Sequence, residues 1–440
     1  MPEQTRVAVI GGGCAGLAAA ATLAERGIAV TLYESSPQLG GRARGVNWQQ
    51  HVLDNGQHIL LGAYSETLRL LKLAGVNESD ALLRVPLQLT MHDVFELKAV
   101  NWLPAPLHIL AGLLTAKGLS WPQRLSAIRF MIWMRSCSFS LPADEPLGKL
   151  LDRKNQEPSL VSLLWEPLCL AALNTPLKTA SAQVFLNVLR DSFARSKRDS
   201  DMLLPRCDLS SLIAEPLAAY VTNHGGQVKH HTTVSTVTKA RNGFMVATDN
   251  APETLYSHVV MAVSPFRLPD ITGNLSATIA PQVVMAEHVD YQPIYTVYLQ
   301  YPAHVKLPQP MLGFAAQHDR ISQWVFDRGA IYGQDGLLAL VISAEGAHQK
   351  LTQEALAVRI EQEMKASFSD LPEPLWHKVI AEKRATFACT VDLQRPTQRT
   401  PIQHLYLAGD YTAGDYPATI EGAVRSGVQC AAYISDSLTG

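Results

Sequence analysis

The first 34 residues place their apolar positions in two short runs separated by an Ala/Leu-rich stretch. Arg6–Gly11 is a continuous apolar run that stops at glycines, the pattern of a buried strand. Cys14–Arg26 lacks proline and carries only Gly16, which predicts a helix; Gly27 breaks it. Ala29–Glu34 repeats the buried-strand pattern. A β–α–β order forces a parallel strand pair with a right-handed crossover. From Pro86 to about Pro205 the texture changes to prolines, tryptophans and long apolar helical stretches. Between Gly225 and Pro265, "GQVKHHTTVSTV" alternates, "RNG" offers a hairpin turn, and "FMVAT" and "HVVMAV" read as strands. Pro281–Ile342 is β-rich and aromatic, and Leu351–Phe368 has helical spacing. Leu405–Ala408 is again a buried strand, followed by a Gly-rich turn and a helix. The pattern predicts two interwoven domains: 1–85, 206–270 and 400–440 in one, 86–205 and 271–399 in the other.

Composition narrows the class. The chain is 47% apolar and 17% charged, so it can build a large core and is not a disordered polymer. A net charge of −2 marks no nucleic-acid partner; the basic-looking stretch Arg190–Asp201 interleaves both signs. The six cysteines show no CxxC spacing, which points away from zinc and from a disulfide framework and fits a reducing cytoplasm. A strand starting at Arg6 leaves no room ahead of it for a signal peptide. No run of 18 uncharged apolar residues suggests a spanning helix.

Chemistry enters with Gly11-x-Gly13-x-x-Gly16 at the strand-to-helix junction. Gly11 suits the tight turn, Gly13 a close approach of backbone to a pyrophosphate, and Gly16 the packing of helix on strand. Free N–H groups at the helix start favour an anion. Glu34, at the end of the second strand, suits the two hydroxyls of a ribose and would repel a 2′-phosphate. Gly40 and Gly41 permit a second close approach, and Arg42 suits a phosphate. Cys14 lies in the first helical turn, where packing is favoured over reactivity. Asp191 and Arg195, four apart on a predicted helix, suit an ion pair.

The "PQLGGRARG" segment, with "LDNGQH" (Asp54–His58), resembles the FAD-binding pattern of the amine oxidase and phytoene desaturase superfamily. The resemblance implies an α/β fold: a Rossmann-like FAD-binding domain, glutathione reductase-like of the GR2 type, interwoven with an α+β substrate domain. It implies that the C-terminal segment closes over the flavin, with Asp410 of "LAGD" near the ribityl chain and pyrophosphate. It also implies that the helix start at Thr419–Gly427 stands near the ring, where it would favour the anionic reduced flavin. Val234 matches the position that meets adenine, and is equally explained as strand core. Ala15, Gly56, Gln57, His58, Gly409 and Ile420 complete the implied cofactor set.

"LDNGQHILLGAYSETLRLL", "WEPLCLAALNTP", "ASAQVFLNVLRDSF", "LLPRCDLS" and "AGDYTAGDYPATIEGAVRSG" are similar to the squalene-associated FAD-dependent desaturase family, the bacterial hydroxysqualene dehydroxylases of hopanoid biosynthesis. That similarity is weakest over about 265–400. It implies reduction of hydroxysqualene to squalene, a hydrophobic triterpene substrate, and an electron donor that the sequence does not identify. Such chemistry needs an apolar slot, a proton donor for the leaving hydroxyl, and exclusion of water. Val100–Met134 is apolar enough to line the slot, to lie at the inner face of the cytoplasmic membrane, or to form ordinary core helices. Candidate donors are His58, Asp415 and Tyr416; Glu166 and Asn174 are polar residues suited to orienting a hydroxyl. His58 is also explained as a flavin hydrogen-bond partner, and Asp415 as a turn cap. Two other readings are an oxidative carotenoid or squalene desaturase, and a lipid escort of the GDP-dissociation-inhibitor architecture. Glu34, Arg42 and Asp410 together argue against an escort without flavin. Amine oxidation calls for an aromatic cage, to which the C-terminal motif offers only Tyr416.

Overall fold

The computed structural model describes residues 5–249, 251–316 and 320–439. The ends of the expected segments 1–85 and 400–440 therefore lie in part outside the described residues. β1 (Arg6–Ile10), α1 (Cys14–Glu25) and β2 (Ala29–Tyr33) form the predicted unit, with Val9 opposite Leu32 in parallel register. The parallel sheet continues on one side to Gln227–Lys229 and on the other to His258–Met261 and Leu405–Leu407. Segments from both chain ends and the middle therefore meet in one five-stranded sheet. Its strands read as unbroken apolar runs because both faces are covered. Val7 and Val9 pack under α1 and the C-terminal helix Ile420–Thr439. Ala8 and Ile10 face an antiparallel meander, Val234–Ala240, Gly243–Thr248 and Ala251–Tyr256.

The alanines of α1 have a steric purpose. A Cβ on Gly427 of the C-terminal helix would lie 2.0 Å from the Ala15 carbonyl oxygen and 2.9 Å from the Ala19 nitrogen. Backbone meets backbone there, and only small residues permit it. Glu421 locks the same helix in place. Fully buried, it accepts from the Glu66 and Thr67 backbone N–H groups (3.1 and 2.9 Å) and the Thr67 hydroxyl, and pairs with Arg425 at 2.7 Å.

The second domain is built on a seven-stranded sheet ordered 376–387, 291–300, 337–343, 324–327, 311–313, 88–91, 95–98. Its alternation is clean. Tyr298, Ala339, Val341, Trp324 and Phe326 face a helical layer from residues 107–193. Val297, Leu299, Leu338 and Leu340 face the helix Gln353–Ser367.

Two sequence expectations change here. The hairpin Gln88–Met91 and Phe95–Lys98 lies inside the stretch read as helical, and joins this sheet through Gly313 and Met91. Its period-two signal, Leu89, Met91, Phe95 and Leu97, was masked by the neighbouring prolines and tryptophans. Pro281, expected to open a β-rich stretch, sits inside the helix Ser276–Glu287; the strand begins at Tyr291. Ile271, Ile279 and Val283 pack under the five-stranded sheet with Ile10 and Leu407.

Candidate active site

A cleft of ≈ 680 Å³ runs between the two sheets. That is within the usual range for a cofactor or small-ligand site, about 300–1,000 Å³. One end is lined by Gly11, Gly13, Ala15, Glu34, Gly41, Arg42, Val234, Gly409 and Asp410, and the region toward the second domain by Gly56, Gln57, His58, Thr419 and Ile420. The far end is largely apolar, with Leu170, Ala171, Ala172, Ile294, Trp324, Phe326 and Val341, beside the polar Asn174, Ser343 and Thr386.

The polar end is mostly backbone. Gly13 caps α1 in an extended conformation without a side-chain cap, so the first-turn N–H groups of α1 have no side-chain acceptor there. A Cβ on Gly13 would meet nothing within 4 Å. The Gly40 N–H donates to the Gly12 carbonyl at 2.8 Å, and Gly41 brings its Cβ position to 3.3 Å from Gly13 Cα. The two glycine turns thus lie side by side. Gly16 does not line the cleft. Its Cβ would stand 1.9 Å from the Gly11 carbonyl oxygen, so it serves helix–strand packing. The Glu34 carboxylate accepts from the Gly12 and Ser36 backbone N–H groups at 2.6 and 2.7 Å, which fixes it at the cleft wall. Val234 is both cleft wall and core.

Arg42 and Asp410, 368 positions apart, form a 2.6 Å ion pair. Arg42 also donates to the Ala385 carbonyl at 2.8 Å. Burial opposes its charge, yet Asp410 carries its pKa above the ordinary value. Cys14 is buried, and burial pushes its thiol up to about 11, an inert packing residue.

The loop Asn55–His58 is anchored from the second domain. Arg328 is fully buried and pairs with the buried Asp54 at 3.1 Å. The Tyr332 hydroxyl and the Leu209 N–H also donate to that carboxylate. Arg328 Nη1 donates to Gln57 Oε1 at 3.1 Å. A guanidinium has only donors, so the Gln57 oxygen must face it, and the amide Nε2 is left buried without a partner in the cleft wall. Tyr411, another cleft residue, likewise holds a buried hydroxyl without a partner. Two unsatisfied donors, an uncapped helix start and an open glycine cradle fit a long polar ligand rich in acceptor oxygens.

Of the three proton-donor candidates, the structure brings only His58 to the cleft. Its Nδ1–H donates to the Gly56 carbonyl, and burial lowers its pKa. Neutral in this tautomer, its Nε2 accepts rather than donates. Asp415 and Tyr416 do not line the cleft, which corrects the expectation for both. The Tyr416 hydroxyl donates to Asp191 at 2.7 Å, and Arg190 bridges Asp191 and the exposed Asp415. The turn carrying "DYP" faces that ion cluster instead. Asp191 and Arg195 form the expected pair at 3.5 Å. Asn174 reaches the cleft with its amide satisfied by Thr386, Pro293 and Ala344. Glu166 lies outside the lining, its pKa raised by burial. Tyr64, Tyr291, Trp324 and Tyr411 line the cleft and were not singled out from sequence, because aromatics in strands and turns give no local signal of which cavity they meet.

Residues 14–435 match the family of flavin-containing amine oxidoreductases. Hydroxysqualene dehydroxylase of Rhodopseudomonas palustris is 28% identical over 448 residues, covering 97% of each chain. That of Zymomonas mobilis is 25% identical, covering 96% of this chain and 97% of its own. Zeta-carotene desaturase of Synechocystis sp. is 24% identical, covering 98% and 97%. Among solved structures, an oxidoreductase from Methanosarcina mazei has TM-score 0.74 at 15% identity over 98% of this chain and 100% of its own. Cyclohexylamine oxidase from Brevibacterium oxydans has TM-score 0.72 at 15% identity over 100% of both chains, a likeness of fold. The chain belongs to the flavin-containing amine oxidoreductase family, and is an FAD-dependent oxidoreductase.

Proposed function

We propose that this enzyme reductively removes the hydroxyl of hydroxysqualene to give squalene. The observation that carries the reading is similarity to hydroxysqualene dehydroxylases over nearly the whole chain at 25–28% identity. The apolar side chains at one end of the cleft suit an isoprenoid tail and support the reading. FAD would be held by the backbone of Gly11, Gly13, Ala15 and Gly41 at its pyrophosphate, by Glu34 at the ribose, and by Val234 at the adenine. Arg42, Asp410 and Gly409 would meet its middle, and Gly56, Gln57, His58, Thr419 and Ile420 its ring end. When bound and reduced, it supplies the hydride.

The rest falls to the chain. The substrate C–OH bond breaks with its electron pair leaving on oxygen, one proton makes that oxygen water, and hydride fills the carbon. Leu170, Ala171, Trp324, Phe326 and Val341 exclude water from the carbon while it is cationic. Gln57, pinned by Arg328, presents an N–H donor at a fixed place. His58 Nε2 would serve as the acid only after protonation, which its lowered pKa confines to acidic solution.

The test is a single-turnover mixture of reduced enzyme and hydroxysqualene under argon. Squalene formation with reoxidation of the flavin is expected. Reduced flavin that persists, or squalene consumed by the oxidised enzyme, would place the chain with the desaturases instead.

A further inference from the structure

The helix Trp121–Ser136 is apolar on two opposite faces. Ala127, Phe130 and Met134 are buried, with Phe130 edge-on to Trp165 at 5.2 Å. At about 100° per residue, Trp121, Leu125 and Ile132 form one stripe on the other side, with the partly buried Ile128 between them. Arg124 and Arg135 run along one margin of that stripe and Arg129 along the other. The stripe is open: Trp121 is 63% exposed, Leu125 42% and Ile132 57%. The preceding helix, Leu107–Thr115, adds Leu107 and Leu114 at 49% and 41%, seven apart and on one face. Arg124 ties the two helices together. Its Nη1 donates to the Leu114 carbonyl at 2.8 Å, and its guanidinium lies 4.9 Å over the Trp121 ring. Trp102, in the loop ahead, is 82% exposed. Single exposed apolar residues are ordinary; a set of this size on two joined helices is not.

Charge identifies the occupant. Ala99 to Ala143 contains no Asp or Glu, and contains Lys117, Arg124, Arg129 and Arg135. Lys117 shares Glu96 with Lys98, at 2.9 and 2.6 Å. Among the described residues the three arginines form no ion pair. A second copy meeting this face across a two-fold axis would set arginine against arginine with no carboxylate between them. Apolar side chains between cations match a leaflet with anionic headgroups, whose phosphates take the guanidinium groups while Trp, Leu and Ile enter the acyl boundary.

We infer that the Leu107–Ser136 helix pair is the surface on which this enzyme docks to an anionic bilayer. The buried side of the same helix packs on Trp165, which leads directly into the helix Glu166–Leu173, and Leu170–Ala172 of that helix line the apolar end of the cleft. Docking therefore sets the apolar end of the cleft one packed layer behind the membrane-facing helices. The inference stands on the surface itself and not on the substrate reading.

Full-length holoenzyme is sedimented, without substrate, with phosphatidylcholine vesicles lacking or containing phosphatidylglycerol. Binding to the anionic vesicles, weakened by salt, is expected. Trp121→Glu with Ile132→Glu should lower partitioning by about tenfold or more. Arg129→Gln with Arg135→Gln should lower it by roughly fivefold per charge removed. Flavin content and melting temperature report that each variant is folded. Wild-type protein left in the supernatant, or both variant pairs binding as wild type does, overturns the inference. Self-association that the Glu variants abolish, without vesicle binding, would assign the face to a second copy and overturn it equally.

Discussion

At the polar end of the cleft the walls are main chain: two glycine turns, a helix start and a carboxylate held by N–H groups. At the apolar end they are side chains from a helix near residue 170 and strands near 294, 324 and 341. The first end depends on where a Cβ is missing, which a few neighbouring positions decide. The second depends on which faces of distant elements meet. Its loss should empty the site of substrate without emptying it of flavin.

The most damaging change should be at a glycine whose neighbour is backbone. Gly16→Ala puts a Cβ where the Gly11 carbonyl oxygen stands 1.9 Å away, and a backbone oxygen inside a strand–turn–helix cannot step aside. Insoluble or flavin-free protein is expected. Gly13→Ala separates folding from binding. Its Cβ meets no protein atom within 4 Å and its φ of −77° suits alanine, so the chain should fold, with a methyl group in the cleft. Flavin content should fall sharply while the melting temperature of the flavin-free protein holds. Full flavin occupancy in the Gly13 variant would show that this turn does not carry the cofactor.

The next effect tests the joint between the two ends. Arg328→Met leaves Asp54 buried with its counter-charge gone, a change that costs about 3–5 kcal/mol when one partner of a buried pair is removed. Denaturant titration should show that loss. Asp54→Asn in the Arg328→Met background should recover part of it, because the buried charge goes too. A loss below about 1 kcal/mol for Arg328→Met would mean the pair is not what fixes the Asn55–His58 loop.

This contrast also explains what the sequence disclosed. The β–α–β unit was legible because strand, glycine turn and helix are set by local spacing; Glu34 and Arg42, singled out by residue type, and Asp410, expected from the resemblance, all line the cleft. The Arg42–Asp410 pair shows the reach of that logic, since two motifs read separately for one ligand meet directly. The Asp54–Arg328–Gln57 chain was half legible: "LDNGQH" stood out, whereas Arg328 sits in "FDRGA" with nothing local to say it is fully buried. Asp415 and Tyr416 misled because proximity in sequence to a cofactor motif does not fix the direction a turn faces. There the pull of Arg190 and Asp191 decides it. The hairpin at 88–98 was lost because the surrounding prolines and tryptophans hide its alternation, and its contact with the rest of the sheet, Gly313, lies more than two hundred residues away.

The smallest effect separates the two ends by pH. His258 lies in the five-stranded sheet, 4% exposed, its ring 4.3 Å from that of His404. Burial first, then His404 and Lys239, lower its pKa to about 4. Ser257 and Ser437 are its hydrogen-bond partners, and neither neutralises a proton gained. The ordinary value is 6.5, so the unfolded chain takes up this proton first as pH falls. His258 thus contributes stability that is complete above pH 6.5 and declines as the pH falls toward about 4. The shift from 6.5 to about 4 bounds the loss at about 3 kcal/mol, less once solvent screening of the ring is allowed for, and reached only once the pH has fallen to about 4. Since the ring is in the nucleotide-side sheet, acid should release flavin ahead of global unfolding. His258→Gln should flatten the pH dependence of flavin retention between those limits. A melting curve that moves with acid equally in both proteins would exclude His258 as the cause and shift the burden to the half-buried His58, whose pKa is lowered beside the cleft.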